Sequence, residues 1–142
     1  MGATMSSNYS INVLIIEDEV DLLNAAADFL RLDGMQVLTA SSLSEADQHL
    51  ATPPVDIIVL DLGLGNEDGL VWIEKHSEIR ARCGLIMATA RIQPEERLAG
   101  VKAGADVYLA KPFTLEELSA LATNLYQTLQ PRVSPDWSLL YV

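Results

Sequence analysis

Charged and hydroxyl side chains stand at the ends of several short apolar runs in this sequence. Glu17 and Asp18 follow the first run, Asp61 follows the third, Thr89 follows the fourth and Lys111 comes after the fifth. Asp61 comes directly after the apolar residues IIVL, a position that an acid needed only for solubility would not have to occupy. If the runs are strands of one parallel sheet, these side chains meet at one edge of it.

The chemistry open to this set is the transfer of a phosphoryl group. Clustered carboxylates repel one another and raise one another's pKa unless a cation binds between them. Carboxylate oxygens that leave room for water suit Mg²⁺, and the ion would leave Asp61 as an ionised nucleophile. Attack of that carboxylate on phosphorus gives an acyl phosphate. Lys111 and the Thr89 hydroxyl can pair with the oxygens of the transferred group, so positioning and electrostatics provide most of the catalysis.

The elements that must position these residues are five apolar runs that alternate with helical segments. The runs are residues 12–16, 35–40, 57–60, 84–88 and 106–109. Several are continuously apolar, which is typical of strands covered on both faces of a parallel sheet. The alternation predicts an α/β fold of the (βα)5 type, with a doubly wound five-stranded parallel sheet.

Helix ends are marked by local signals. Ser42 with Glu45, and Thr114 with Glu117, have the spacing of capping boxes. Pro94 stands where a helix can begin. These signals place helices between the runs and after the last one.

The cysteine, the two histidines and one tryptophan could take part in chemistry, but we predict structural or solvent-exposed positions for them. Cys83 is the single cysteine, so no disulfide framework forms, and we predict a small buried residue. His49 and His76 fall on predicted helix surfaces, where we expect exposure to solvent. Trp72 is predicted to pack through the third helix.

Composition and charge exclude several classes of function. The chain has 142 residues, of which 49% are hydrophobic, and a net charge of −11 from 20 acidic and 9 basic residues. This charge opposes nucleic-acid binding by the chain itself, because contact with phosphates needs a basic surface. No apolar run approaches the roughly 18 residues of a membrane-spanning helix, and the N-terminus lacks a signal-peptide pattern. A cytoplasmic location without membrane contact is predicted.

The chain divides into three parts by composition. Residues 1–10 are predicted to be a flexible N-terminus and residues 11–130 a single domain. Two prolines in QPRVSPD indicate a linker. Residues 131–142 are therefore interpreted as a linker or tail, with the start of a further domain left open.

Four stretches of the sequence resemble the receiver domains of two-component response regulators: VLIIEDE, IIVLDLGLGNEDGL, MATA and GADVYLAKPF. The resemblance covers roughly residues 11 to 130, with the landmarks in the family's order. It implies a flavodoxin-like fold with strand order 2-1-3-4-5. It also implies that the chain is a phosphoacceptor for a sensor histidine kinase rather than an enzyme, with at most slow self-dephosphorylation.

The same resemblance implies a role for individual residues. Asp61 matches the phosphoacceptor and Lys111 the lysine that binds the phosphoryl group. Asp18 matches a direct Mg²⁺ ligand, Glu17 a ligand that acts through water, and the backbone carbonyl of Gly63 a further protein ligand. Mg²⁺ is thus the implied cofactor.

The switch and one unusual peptide bond are implied in the same way. Thr89 and Tyr108 match the pair of residues that change conformation after phosphorylation. Lys111 and Pro112 match a peptide bond that is cis in the family.

Two positions depart from the family's pattern. The acidic pair is Glu17–Asp18 rather than Asp-Asp, which keeps the charge and lengthens one arm. Gly65 stands where a proline is usual, and with Gly63 nearby this predicts a looser loop over residues 62–68.

The segment of residues 89–118 is similar to the OmpR-like subfamily, whose second domain is a winged helix that binds DNA. The similarity implies a parent transcription factor whose output domain lies outside this chain. Active receivers of the subfamily pair through the fourth helix, the fifth strand and the fifth helix of the (βα)5 fold, with three charge pairs in each half of the interface. The matching positions are Arg97 with Glu117, Val107 with Leu121, and Asp106 with Thr128.

The second of these pairs is apolar here, and the third lacks its base. An apolar pair in place of an ion pair can be neutral or stabilising. We therefore expect a homodimer with weak salt dependence that forms partly without phosphorylation. A monomer, or pairing through another face, stays open.

Three alternative functions share features with this sequence. A stand-alone or degenerate receiver that docks partners without phosphorylation is the alternative, and the intact acid, hydroxyl and lysine set argues against the degenerate form. A phosphatase of the haloacid dehalogenase type needs Asp-x-Asp after the first strand, where this chain has Glu17-Asp18-Glu19. A flavodoxin needs a Ser/Thr-rich phosphate loop there, which the sequence lacks.

Overall fold

A computed structural model describes residues 10–51 and 54–129, except for the side chain of Arg80. The strands of this part are β1 (Asn12–Ile16), β2 (Gln36–Ala40), β3 (Ile57–Leu60), β4 (Gly63–Leu64), β5 (Glu67–Asp68), β6 (Gly84–Thr89) and β7 (Val107–Ala110). The helices are α1 (Val20–Leu32), α2 (Leu43–Leu50), α3 (Gly69–Lys75), α4 (Ser77–Arg80), α5 (Pro94–Ala103) and α6 (Leu115–Leu129). The predicted N-terminal extension covers residues 1–10, and all of it except residue 10 lies outside the described residues. The predicted linker or tail, residues 131–142, lies outside them entirely.

Five strands form one parallel sheet in the order β2-β1-β3-β6-β7. The two faces are covered by separate hydrophobic clusters. One contains buried residues of α1 and α6, and the other contains buried residues of α2, α3, α4 and α5. The predicted doubly wound fold and its strand order are therefore confirmed.

The central strands read as continuous apolar runs because both of their faces are covered. All four residues of β3 are buried. The predicted strand bounds differ from the observed ones by at most one residue at each end. Cys83 is buried, as predicted, and its thiol donates to the carbonyl of Val55 at 2.9 Å.

The amino ends of two strands are fixed by acids from the segment before a neighbouring strand. A carboxylate oxygen of Asp56 accepts from the backbone N–H of Asn12 at 2.9 Å. Asp106 does the same for the N–H of Leu85 at 2.8 Å. Asp106, which maps to a charge pair of the subfamily's dimer, is thus engaged within its own chain.

Helix ends agree with the sequence signals in part. The hydroxyls of Ser42 and Thr114 accept the predicted backbone N–H groups, at 3.2 Å and 3.0 Å. The carboxylate of Glu45, however, bonds to the backbone and hydroxyl of Ser41 rather than to Ser42. A complete capping box was missed at the start of α5, where Gln93 and Glu96 bond reciprocally.

The prediction that the two histidines are solvent-exposed was wrong. Nε2 of His49 lies 2.8 Å from the carbonyl oxygen of Thr39. The ring of His76 stacks on that of Trp72 at 4.5 Å between centroids, and its Nδ1 lies 2.7 Å from the Trp72 carbonyl oxygen. The indole N–H of Trp72 donates in turn to Asp47 at 2.9 Å, so this tryptophan links α3 to α2 as well as packing.

Within residues 10–51 and 54–129, no helix is both long enough and apolar enough to cross a membrane.

Candidate functional site

The carboxyl ends of β1, β3, β6 and β7 bring the predicted chemical residues to one edge of the sheet. Register aligns these ends, since Ile16 pairs with Leu60 and Leu60 with Met87. Hydrogen bonds continue just beyond the strands: the Asp61 N–H donates to the Ile16 carbonyl at 3.1 Å, and the Lys111 N–H donates to the Thr89 carbonyl at 2.9 Å.

Asp61 is a buried carboxylate with two fixed donors. Its Oδ1 accepts from the backbone N–H of Gly63 at 2.9 Å, and its Oδ2 accepts from Nζ of Lys111 at 2.9 Å. Burial on its own would raise the pKa of Asp61, but the Gly63 N–H and the Lys111 ammonium outweigh it and hold the pKa below its ordinary value. Asp61 is therefore an ionised carboxylate at neutral pH, which is the form that a nucleophilic role requires.

Lys111 also contacts the second buried acid. Its Nζ lies 2.8 Å from Oε1 of Glu17, while Oε2 of Glu17 accepts from the backbone N–H of Glu19 at 3.1 Å. Burial lowers the pKa of Lys111, yet the bonds to both carboxylates raise it above its ordinary value, so the side chain is an ammonium. One ammonium does not compensate two buried acids, and burial raises the pKa of Glu17 to about 7.

The donor set at this edge fits a hard divalent cation. Single carboxylate oxygens of Glu17, Asp18 and Asp61 all lie within 4.8 Å of one another. Asp18 is exposed, so the solvent side of the cluster can supply water ligands, as Mg²⁺ prefers. Among the residues that the structure describes, Lys111 is the one lysine paired with these acids, and the raised pKa of Glu17 reflects burial that a cation would compensate.

Thr89 and Tyr108 are connected through the backbone of Arg91. Thr89 is fully buried, and its Oγ1 accepts from the Arg91 N–H at 3.1 Å. The Tyr108 hydroxyl donates to the Arg91 carbonyl oxygen. Burial raises the pKa of Tyr108, so the hydroxyl remains a donor at neutral pH. Sequence reasoning missed Arg91, because only its backbone takes part.

The ring of Tyr108 is confined by α5. The guanidinium carbon of Arg97 lies 5.5 Å from the ring centroid. A Cβ placed on Gly100 would lie only 2.6 Å from Cε2 of the ring. Sequence reasoning also missed Gly100, although a glycine in the interior of a helix was a signal for a close approach.

The predicted dimer residues lie on α5, β7 and α6. Val107 and Leu121 are partly buried and both pack against the cluster that contains α1 and α6. Arg97 is already placed over Tyr108, and the N–H of Glu117 donates to Thr114. The peptide bond between Lys111 and Pro112, beside this surface, is cis.

Comparison with known proteins identifies the family. Residues 13–123 match the family model described as response regulator receiver domain. The chain belongs to this family. The predicted resemblance is therefore confirmed.

The relatives of this receiver include full-length transcriptional regulators. It is 39% identical over 125 residues to the KDP operon transcriptional regulatory protein KdpE of Escherichia coli, which covers 88% of this chain and 55% of that protein. It spans about half the length of the curated relatives it matches. These relatives agree with the predicted OmpR-like subfamily.

Solved receiver structures have the same fold. The non-phosphorylated HemR receiver domain from Leptospira biflexa is 27% identical, with a TM-score of 0.79 over 87% of this chain and 100% of that one. The receiver domain of Francisella response regulator 1452 is 25% identical, with a TM-score of 0.78 over 85% of this chain and 100% of that one.

Proposed function

We propose that Asp61 is the phosphoacceptor of this receiver and takes its phosphoryl group from a sensor histidine kinase. The observation that carries the proposal is the placement of Asp61, a buried carboxylate held between the Gly63 N–H and the Lys111 ammonium. The two neighbouring acids, Glu17 and Asp18, stand within 4.8 Å and complete a cation site.

The transfer itself is a substitution at phosphorus. A carboxylate oxygen of Asp61 forms the new bond to phosphorus, and the bond from phosphorus to the donor breaks, with its electron pair leaving on the donor. Lys111 is held as an ammonium by two acids, so it is available to pair with an oxygen of the arriving group. The hydrogen bond from the Gly63 N–H limits rotation of the Asp61 side chain and so keeps its carboxylate in one orientation.

Mg²⁺ is the cation that best suits the acidic residues, and it would neutralise the charge that gathers on the phosphoryl oxygens. Asp18 and Asp61 would bind it directly, Glu17 through water, and Gly63 through its backbone carbonyl. Glu17 already pairs with Lys111 through Oε1, which favours an indirect role for this residue.

The switch proposed for this receiver is the pair Thr89 and Tyr108. A phosphoryl oxygen near Asp61 is an acceptor for the Thr89 hydroxyl. That hydroxyl at present accepts from the Arg91 N–H, and Arg91 also accepts from Tyr108. A change at Thr89 therefore reaches Tyr108 through one residue, and two conformations can be populated differently before and after phosphorylation.

Output is proposed to lie outside the chain. We infer that residues 11–130 are the receiver of a cytoplasmic transcription factor, and that residues 131–142 lead into a DNA-binding domain. The receiver would not be an enzyme in its own right, beyond slow loss of its own phosphoryl group.

Homodimerisation through α5, β7 and α6 is also proposed, with weak salt dependence and partly without phosphorylation. Arg97 and Glu117 would form an ion pair across the interface, and Val107 would meet Leu121. Both apolar residues are partly buried in the monomer, so each has surface left to cover. A two-fold axis supplies each contact twice.

Phosphorylation is tested with acetyl phosphate and Mg²⁺, followed by mass spectrometry of the intact chain. We expect an added mass of about 80 Da, the mass of a phosphoryl group, which disappears in Asp61→Asn and in EDTA. Glu74→Gln serves as the control, because Glu74 is an exposed acid on α3. Labelling that persists in Asp61→Asn contradicts the assignment. A wild-type chain that takes no label favours the alternative of a receiver that docks partners without being phosphorylated.

A further inference from the structure

The segment that follows Asp61 is a small hairpin rather than the looser loop that Gly63 and Gly65 predicted. β4 and β5 are antiparallel, with Gly63 opposite Asp68 and Leu64 opposite Glu67. Gly65 makes the turn with φ of +67°, in the region that favours glycine. A hairpin of this size is marginal in water by itself, so other contacts must hold it in place.

One end of the hairpin is attached to the phosphoacceptor. The N–H of Gly63 donates to Oδ1 of Asp61 at 2.9 Å. The buried side chain of Leu64 joins the hydrophobic cluster on this face of the sheet. Asp68, at the far end, accepts from the N–H groups of Leu70 and Val71 and so begins α3.

The middle of the hairpin is attached to a different helix by a side chain. Oε1 of Glu67 accepts from the backbone N–H of Leu43 at 3.1 Å, across 24 positions of sequence. Leu43 is the first residue of α2, and the first N–H groups of a helix have no partner inside it. Ala46 of the same helix is fully buried in the hydrophobic cluster on this face of the sheet, so α2 is anchored to the sheet.

We propose that Glu67 is a positioning residue for the cation site. Its bond to α2 holds β5, and through the pairing of β5 with β4 it orients the backbone of Gly63. The inference rests on the proposed function, in which the Gly63 carbonyl binds Mg²⁺. Without this bond the hairpin would be held only at its ends, by Gly63, Leu64 and Asp68, and the glycine-containing backbone between them would keep more conformational freedom that the site has to remove when the ion binds.

The experiment compares Glu67→Ala with Glu67→Gln in the metal-free chain. Both variants lose the same charge, but the amide oxygen of glutamine can still accept from the Leu43 N–H. Mg²⁺ affinity is measured by NMR titration, and hydrogen exchange of the Gly63 amide is followed without metal. Glu74→Ala is the matched control, because it removes an exposed acid from α3.

Loss of a group that orients a metal ligand typically weakens metal binding about 10–100-fold. We expect Glu67→Ala to lie near the lower end of that range, with faster exchange at Gly63. Glu67→Gln and Glu74→Ala should stay close to wild type in both measurements. Equal weakening in Glu67→Ala and Glu67→Gln would assign the effect to charge and overturn the inference, as would wild-type behaviour of Glu67→Ala.

The outcomes also separate this inference from the proposed function. A wild-type chain that binds no Mg²⁺ and takes no phosphoryl group refutes the proposed function, and the positioning role with it. A wild-type chain that binds Mg²⁺ and is labelled, beside a Glu67→Ala variant with unchanged affinity and unchanged Gly63 exchange, refutes the positioning role alone.

Discussion

Gly100→Ala tests whether helix α5 sets the position of the Tyr108 ring. A Cβ at this position would lie 2.6 Å from Cε2 of Tyr108 and 2.9 Å from Sδ of Met87. Both distances are shorter than a van der Waals contact, so the Tyr108 ring, the Met87 side chain or the helix must shift. Met87 is fully buried, whereas the Tyr108 ring is half-exposed and can turn toward solvent.

Two opposing effects decide the size of the change. Overpacking a core costs about 1–3 kcal/mol. Alanine in a helix interior is more stable than glycine by about 0.5–1 kcal/mol. Since the outward turn of the ring also gives up the bond to Arg91, worth about 1 kcal/mol, the overpacking cost should prevail. We expect Gly100→Ala to lower the free energy of unfolding by about 1–3 kcal/mol in urea denaturation.

A double-mutant cycle separates the ring contact from helix propensity. In a Tyr108→Ala background the ring contact is gone, and Gly100→Ala should become neutral or stabilising. In a Tyr108→Phe background the ring remains, so a loss should persist, but it should be smaller by the hydrogen bond to Arg91 that phenylalanine cannot make. The same cost for Gly100→Ala in all three backgrounds would refute the reasoning, because the ring would then play no part.

Three further predictions concern stability, assembly and reactivity. Because burial raises the pKa of Glu17 from its ordinary 4.5 to about 7, the folded chain keeps a proton that the unfolded chain loses between these values. The free energy of unfolding in EDTA should therefore fall as the pH rises through this window. Urea unfolding at about pH 5 and about pH 8 measures this fall, and Glu17→Gln should reduce it. Leu121→Arg should abolish a dimer seen by sedimentation of the beryllofluoride-treated chain, with Glu116→Arg as a control on the same helix; a dimer indifferent to Leu121→Arg excludes this face. Burial also raises the pKa of the Cys83 thiol, so a maleimide should label it quickly only in denaturant, and fast labelling of the native chain would contradict its burial.

Most of the fold could be predicted because the strands are continuous apolar runs. The run at residues 57–60 is bounded by Asp56 and Asp61, and the observed strand has the same limits. Strand ends in turn determine which residues reach the edge of the sheet. Asp61 and Lys111 therefore came together as the alternation of strands and helices required.

The features that escaped prediction depend on contacts distant in sequence or on backbone atoms. The bond from Glu67 to Leu43 spans 24 positions, and no local pattern announces it. Gln93 is not among the residues favoured at a helix start, so its capping box carried little signal. His76 is an exception, because its partner Trp72 is only four positions away, and this spacing of one helical turn was a signal that sequence reasoning overlooked.

The connection between Thr89 and Tyr108 has a consequence for how this receiver can vary. Both hydrogen bonds at residue 91 use backbone atoms, the N–H toward Thr89 and the carbonyl toward Tyr108. Almost any amino acid at this position supplies the same two groups, and proline alone lacks the N–H. The side chain at residue 91 can therefore vary among descendants of this gene while its peptide group keeps both hydrogen bonds, and a comparison of their sequences would not reveal the position.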